Sequence, residues 1–411
     1  MFSPDCQSAQ SSRSAAGYLP PRMSSPRFRW WRTALWVVAL SGVAVLAVRA
    51  LVGDVYYVDS RSMAPTLHGA ARGGEYVFVR FDRASPLERF DLVVVQRPGD
   101  DRPLVKRVVA LGGETVQLAG GDLLFDGRVL PPDAPRAPWI ELFDSRGDAF
   151  EQHFSTARFP APWTQSSAGQ LVDVQGARAA EAEYKRGALD EFREPSGERG
   201  GGRRHVSDLA LELELRTEGV WRALRLRLSE EGDRFDLVLE PAAQPGRVRA
   251  RIERRVVARL SFEVLVEREL DFDFSAPHRL SFANIDNRLR FDLDDERGAL
   301  AFDYPENTPM SGQESGFQHQ LPRAAFGGEN LRAQITRVRL LRDLSWADLG
   351  RFAVNGPLVL APEELFLLGD NSSESLDSRE WGPARQSWRV GKPLAVVWPP
   401  SRWRWLDARA P

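Results

Sequence analysis

The chain has 411 residues, 43% of them hydrophobic and 27% charged, with a formal net charge of −2 at pH 7. That is long enough for two domains, and the balanced charge leaves no basic footprint of a nucleic-acid binder. A single cysteine, Cys6, excludes an intramolecular disulfide, and with five scattered histidines besides, neither a structural zinc site nor any other metal or cofactor is expected.

Residues 1–32 are rich in Ser, Pro and Arg, with Arg13, Arg22, Arg27, Arg29 and Arg32 against Asp5. Such a composition cannot build a core, so a disordered tail is expected. Thr33–Val52 follows, about twenty residues with Arg49 as the one charge, enough to cross ~30 Å of hydrocarbon. A cleaved signal would have a shorter apolar region, usually about 7–15 residues, so the run predicts one transmembrane helix. The preceding arginines put the N-terminus in the cytoplasm and everything from Gly53 onward outside, on a cell membrane whose bilayer is the first expected partner.

Between 54 and 132 the sequence predicts short strands at Val55–Val58, Tyr76–Phe81, Leu92–Gln96, Val105–Ala110, Thr115–Leu118 and Leu123–Phe125, separated by Gly, Pro and Asp turns. Close spacing without a helical period argues for a barrel-like β domain. Two stretches here carry chemistry. Ser60-Arg61-Ser62-Met63-Ala64-Pro65-Thr66-Leu67 is a polar turn just past the apolar run. Lys106 sits in the apolar run Leu104-Val105-Lys106-Arg107-Val108-Val109, and it is one of three lysines among 55 basic residues. A chain that uses Arg for nearly every surface charge has kept a Lys where the amine can be buried and lose its proton, which a guanidinium cannot do. A neutral amine of that kind activates a serine; read alone, the Lys-Arg pair also fits a solvated strand end. His68 near Ser62 suggests a Ser-His pair, discounted because no Asp stands in place to orient it.

From about 135 to 343 the composition changes, and period-two alternation predicts strands at Leu209–Leu215, Ala223–Leu228, Phe235–Leu239, Val248–Ile252, Val256–Val266, Leu270–Phe274, Arg279–Ala283 and Leu289–Leu293. Repeated alternation of this length marks a two-layer β-sandwich. Gly187–Arg204, with three consecutive glycines, reads as a flexible surface loop, and Asp292–Glu296 as a solvated one. His278–Leu289 is similar to segments of concanavalin- and laminin-G-like jelly rolls, which makes a glycan or protein ligand for this sandwich an expectation of likeness alone.

Strands resume at Leu358–Leu360, Leu365–Leu368 and Ala395–Trp398. Between the last two lies Gly369-Asp370-Asn371-Ser372-Ser373-Glu374-Ser375-Leu376-Asp377-Ser378-Arg379-Glu380-Trp381-Gly382, a polar loop without the glycine position and closing Glu of a calcium loop. Trp398, Trp403 and Trp405 with Arg402 and Arg404 suit a membrane interface or the closing of a core.

Taken in order, Ser60–Leu67, Arg89–Pro98, Leu104–Glu114 and Gly369–Gly382 resemble the type I signal peptidases, the Ser-Lys membrane proteases that act on exported preproteins. The resemblance implies Ser62 as nucleophile and Lys106 as general base, with Ser60 and the Ser62 backbone N–H forming an oxyanion hole. It also implies that Ser375 orients the lysine, that Asp377 and Arg379 support the loop, and that Val58, Met63, Leu104 and Val105 line a groove for small-x-small cleavage sites of signal peptides. Arg61, Asp59, Ser372 and Glu114 depart from the family's common residues, Gly, Pro, Arg and Asp, without removing a catalytic group. The expected architecture is therefore mainly β: a tail (1–32), a transmembrane helix (33–52), and a barrel-like catalytic domain (54–134 and 344–411) interrupted by a jelly-roll-like sandwich (135–343).

Overall fold

Apolar runs of four to ten residues, cut by Gly, Pro and Asp, leave the chain little choice but extended structure, and the molecule is mainly β. The computed structural model describes residues 27–130, 138–156, 180–230, 233–256, 262–304, 321 and 323–406. It divides into two compact units, 1–52 and 53–411. In the first, α1 (Arg27–Leu51) carries the apolar run. Among the described residues no helix is long and apolar enough to cross a membrane, and the side chains at 44–48 and 50, inside the expected span, lie outside the described ones. The tail over 1–26 lies outside them too.

In the second unit the first strands are β1 (Gly53–Tyr57), β2 (Tyr76–Phe81), β3 (Leu92–Val95), β4 (Leu104–Ala110), β5 (Thr115–Ala119) and β6 (Asp122–Phe125). Next come β7 (Ile140–Asp144), α2 (Phe150–His153), β8 (Phe154–Ser155), β9 (Ala180–Tyr184), β10 (Phe192–Arg193) and β11 (Arg199–Gly200). The long strands are β12 (Leu209–Thr217), β13 (Ala223–Glu230), β14 (Asp233–Pro241), β15 (Arg247–Val256), β16 (Glu263–Asp271), β17 (His278–Ile285), β18 (Arg288–Leu293), β19 (Glu296–Asp303), β20 (Arg323–Glu329) and β21 (Ala333–Arg342). The chain closes with β22 (Leu358–Val359), β23 (Glu364–Leu368), α3 (Ser378–Trp381), β24 (Ala384–Arg385), β25 (Arg389–Trp398) and β26 (Arg404–Trp405).

These strands sort into sheets by sequence region. One curled sheet runs β1-β2-β25-β3-β4-β23-β24, with β26 added to β25, and β22-β5-β6 lies beside it as a small sheet. Strands β7 to β21 pair only among themselves, in sheets ordered β19-β18-β17-β12-β21-β7 and β16-β15-β14-β13-β20-β9-β8 plus the hairpin β10-β11. The two large sheets share one core: Leu211, Leu213, Phe282 and Phe291 from the first meet Leu224, Leu226, Phe235 and Leu237 from the second. Alternation explains why. In β12 the odd leucines are buried, while Glu212 faces outward between Arg339 and Arg279, at 2.8 and 2.9 Å. The entry and exit of this region are neighbours, since Ile140 pairs with Arg342.

Two expectations fail here. Val256–Val266 is not one strand: β15 ends at Val256 and β16 starts at Glu263, with 257–261 outside the described residues. Val256 ends one strand and Val264, Leu265 and Val266 belong to its antiparallel neighbour, two strands that a period-two reading cannot separate. Nor is Gly187–Arg204 a free loop. It holds the β10–β11 hairpin, and Phe192 is 1% exposed. Strand β20 was missed because Ala324, Ala325, Gly327 and Gly328 give no hydrophobic alternation.

Candidate active site

The Ser60–Leu67 segment leaves β1 as a run of turns whose apolar side chains are pulled inward. Met63 (1% exposed) and Val58 (7%) are buried with Leu92, Val94 and Val396, and Ala64 joins a second core with Val109 and Phe366. That anchoring fixes the backbone of Ser62, whose side chain lies at the edge of the packed interior. Leu104 and Val105, at the start of β4, are half-buried. Lys106 follows on β4, opposite Val93 of β3. From this point β4 is covered on both faces, and Lys106 is 2% exposed.

The Lys106 Nζ donates to Ser62 Oγ at 3.0 Å and to Ser375 Oγ at 3.1 Å. Ser60 Oγ lies 3.2 Å from Ser62 Oγ. Burial pushes the Lys106 amine down to about 8, against the pull of the Asp377 and Asp370 carboxylates, while the Arg379 guanidinium lowers it further. Three hydroxyls and a poorly solvated amine therefore meet in one cluster.

The loop after β23 completes the arrangement. Asp377 caps α3 by accepting from the Arg379 N–H, and its carboxylate also takes the Gly369 N–H at 3.1 Å. Arg379 forks onto Asp377 at 2.8 and 2.9 Å and reaches Ser372 Oγ and the Ala347 carbonyl. Gly369 is required: a Cβ there would stand 2.2 Å from Ser375 Oγ and 2.4 Å from the Ser62 carbonyl. Asn371 ties the loop to the Ser60–Leu67 segment, its N–H donating to the Ser62 carbonyl and its side chain to the Arg61 carbonyl.

Beneath lies a feature that the sequence did not disclose. Arg107 is fully buried and forks onto Asp370 at 2.6 and 2.7 Å, with Phe90 O and Thr66 Oγ1 as further partners. A solvated strand end for Lys106 and Arg107 is therefore excluded. His68 also needs correction: a carboxylate does orient it, Glu194 at 3.1 Å, supplied from 126 residues away. Burial lowers its pKa. The Ser62 hydroxyl meets Ser60 and Lys106 instead. The departures are accommodated: Asp59 pairs with exposed Arg102, Glu114 with Arg89, and Ser372 accepts the Ala347 N–H.

Elsewhere a cavity of about 290 Å³ opens between the β5–β6 hairpin and the sandwich, lined among others by Asp122, Asp208, Asp286, Tyr304 and Trp346. The Asp122, Asp208 and Asp286 carboxylates lie within 4.8 Å of one another. Neither Ser62 nor Lys106 lines it.

Comparison with known proteins converges on the same segments. The family model described as signal peptidase, peptidase S26, matches residues 29–166 and 333–398, skipping most of the sandwich. A signal peptidase I of Leptolyngbya laminosa is 31% identical over 157 residues, covering 33% of this chain and 74% of the relative. One from Bacillus licheniformis is 36% identical over 97 residues, 23% of this chain and 50% of the relative. Subunit 2 of the mitochondrial inner membrane protease of Saccharomyces cerevisiae is 39% identical over 54 residues, 13% of this chain and 30% of the relative. Among solved structures, a carbohydrate-binding module (CBM66) from Bacillus subtilis covers 46% of this chain and 94% of its own at 11% identity, with a TM-score of 0.30 that assigns no ligand. The matched residues contain Ser62, Lys106 and Ser375 and leave out all of β9 to β20, so the chain belongs to the signal peptidase I family and is a serine endopeptidase of the S26 type.

Proposed function

We propose that this enzyme removes signal peptides from exported preproteins at small-x-small sites, using a Ser62–Lys106 dyad. The observation that carries the reading is the buried amine 3.0 Å from the Ser62 hydroxyl, with a pKa brought down to about 8. Neutral Lys106 accepts the Ser62 proton as Oγ attacks the scissile carbonyl. The tetrahedral oxyanion is held by the Ser62 N–H and the Ser60 hydroxyl, donors that typically contribute about 2.7–4 kcal/mol each. On collapse the C–N bond breaks and the leaving amine takes the proton from Lys106. Water then attacks the Ser62 ester, losing its proton to the same amine; as the ester C–O bond breaks, Lys106 returns that proton to Ser62 Oγ, and the cleaved signal peptide leaves as an acid. Ser375 orients the amine, Asp377 and Arg379 support its loop, and Val58, Met63, Leu104 and Val105 shape the groove.

We propose further that residues 135–343 are an insert in a catalytic domain made of 54–134 and 344–411. The apolar run Thr33–Val52 serves as a single-pass anchor with the N-terminus cytoplasmic and the catalytic domain outside. Supporting a membrane-facing surface, Tyr57 pairs with Tyr76 and Tyr76 with Trp398 across neighbouring strands, and Trp398, Trp403 and Trp405 are all exposed.

Cleavage of a preprotein carrying an Ala-x-Ala site by the detergent-solubilised full chain, with the new N-terminus sequenced, tests the reading; an inert enzyme or a cut elsewhere sinks it. The pH profile is a second check. Because Lys106 must be neutral, kcat/KM falls about tenfold per unit below a limb near pH 8 and is flat above it. Arg379→Gln removes a cationic neighbour that lowers the amine's pKa, so the limb moves to higher pH; an unmoved limb would mean that another group titrates.

A further inference from the structure

We infer that the sandwich's hairpin, residues 188–206, is a positioning element of the protease, with Glu194 and Asp190 holding the two catalytic segments in register. The inference rests on the proposed Ser62–Lys106 chemistry and adds to it a part supplied by the inserted region.

The hairpin leaves the sandwich between β9 and β12. Its root is fixed: Arg342, at the end of β21, donates to the Glu191 carbonyl at 3.0 Å, and Arg199 pairs with the Glu191 side chain at 2.9 Å. Asp190 takes the Arg203 and Arg204 N–H groups on one carboxylate oxygen. From that root Phe192 enters the catalytic core, not the sandwich core, beside Ala64, Phe90, Trp346 and Leu368.

Two carboxylates then reach the two segments of the site. Glu194 pairs with Arg61, the residue before the nucleophile, at 2.5 Å, and with its other oxygen holds His68 at 3.1 Å. Asp190 accepts the Ser373 hydroxyl at 3.2 Å, in the loop that carries Ser375. The Arg61 guanidinium stands 6.0 Å from the centre of the Phe192 ring, and its second carboxylate neighbour is Glu374 at 3.8 Å. Gly200 leaves room for it, since a Cβ there would lie 2.6 Å from Arg61 Nη2. One hairpin thus grips both the segment bearing Ser62 and the loop orienting Lys106, whose relative placement decides whether a proton can pass over 3.0 Å. A misplacement of about 1 Å can cost up to about a hundredfold in rate.

The test uses the full chain and a preprotein with an Ala-x-Ala site. Glu194→Gln keeps the shape and removes the charge on a partly exposed pair, so the melting temperature stays near that of the wild type while kcat falls roughly ten- to a hundredfold and KM changes less than about threefold. Glu194→Asp retains an intermediate kcat, and the double variant Arg61→Gln/Glu194→Gln is no slower than the slower single variant, because the pair is already broken. Wild-type kcat in Glu194→Gln, or a loss confined to KM, overturns the inference and makes the hairpin a recruiting or merely covering surface. Ser62→Ala, run alongside, separates the two claims: residual cleavage there sinks the dyad, whereas its loss with an unaffected Glu194→Gln sinks the hairpin's role alone.

Discussion

Ser62→Ala is expected to lower kcat for preprotein cleavage by about 10⁴-fold or more, and Lys106→Arg by a comparable factor, with both variants folded. The two losses have different causes. Alanine removes the atom that forms the ester. Arginine keeps a cation of similar reach but cannot become neutral, so Ser62 has no proton acceptor. The comparison is informative because the Ser62 hydroxyl meets only Ser60 and Lys106 among the contacts described above, and a serine does not supply a base. Single-turnover cleavage of an Ala-x-Ala preprotein reads both variants, and substantial activity in Lys106→Arg would remove Lys106 from the base role while leaving Ser62 in place.

Lys106→Met is expected to destroy activity and yet raise stability at neutral pH. The amine's pKa is about 8 in the folded chain against an ordinary value of 10.5, so below pH 8 the protonated group is more costly folded than unfolded. At about 1.36 kcal/mol per pKa unit this amounts to about 3 kcal/mol, which a thioether of similar length does not incur. The sign follows from proton counting. Between pH 8 and 10.5 the unfolded chain binds the proton and the folded chain does not, so the wild type gains stability as pH rises and the advantage of the Met variant fades. Thermal unfolding of both at pH 6.5 and pH 10.5 checks this; an advantage that persists undiminished at the higher pH would assign it to packing and not to charge.

The segments that meet at the candidate site were legible because each is short and local. Ser62 is marked by its neighbours, Lys106 by the rarity of lysine, and Ser375, Asp377 and Arg379 by a turn-rich loop between apolar strands. The sandwich strands β12 to β14, β17 and β18 were legible for an equally local reason, the alternation of apolar and polar residues along each. What escaped depends on distance along the chain. Arg107 meets Asp370 across 263 residues and Arg61 meets Glu194 across 133, and neither pairing leaves a periodic trace. The hairpin was misread because Gly, Glu and Arg are abundant in solvated loops. The one clue was Phe192, the lone aromatic side chain amid charges. His68 was dismissed for want of an orienting acid, and the acid belongs to a region that seemed unrelated to the site.

The strand order carries a consequence for how the enzyme comes into being. Strand β25 lies between β2 and β3, and Ser375 is 269 residues beyond Lys106, so the central sheet stays open until the ribosome has made β25. Closing so long a loop is slow by its entropy, and prior folding of the sandwich shortens the effective loop by bringing Ile140 and Arg342 together. Nascent chains halted before residue 389 should therefore be proteolytically silent and trypsin-sensitive over residues 53–130, becoming resistant and competent together once β25 emerges. The order of synthesis would then act as a timer, keeping the Ser62–Lys106 pair unassembled until β25 is in place.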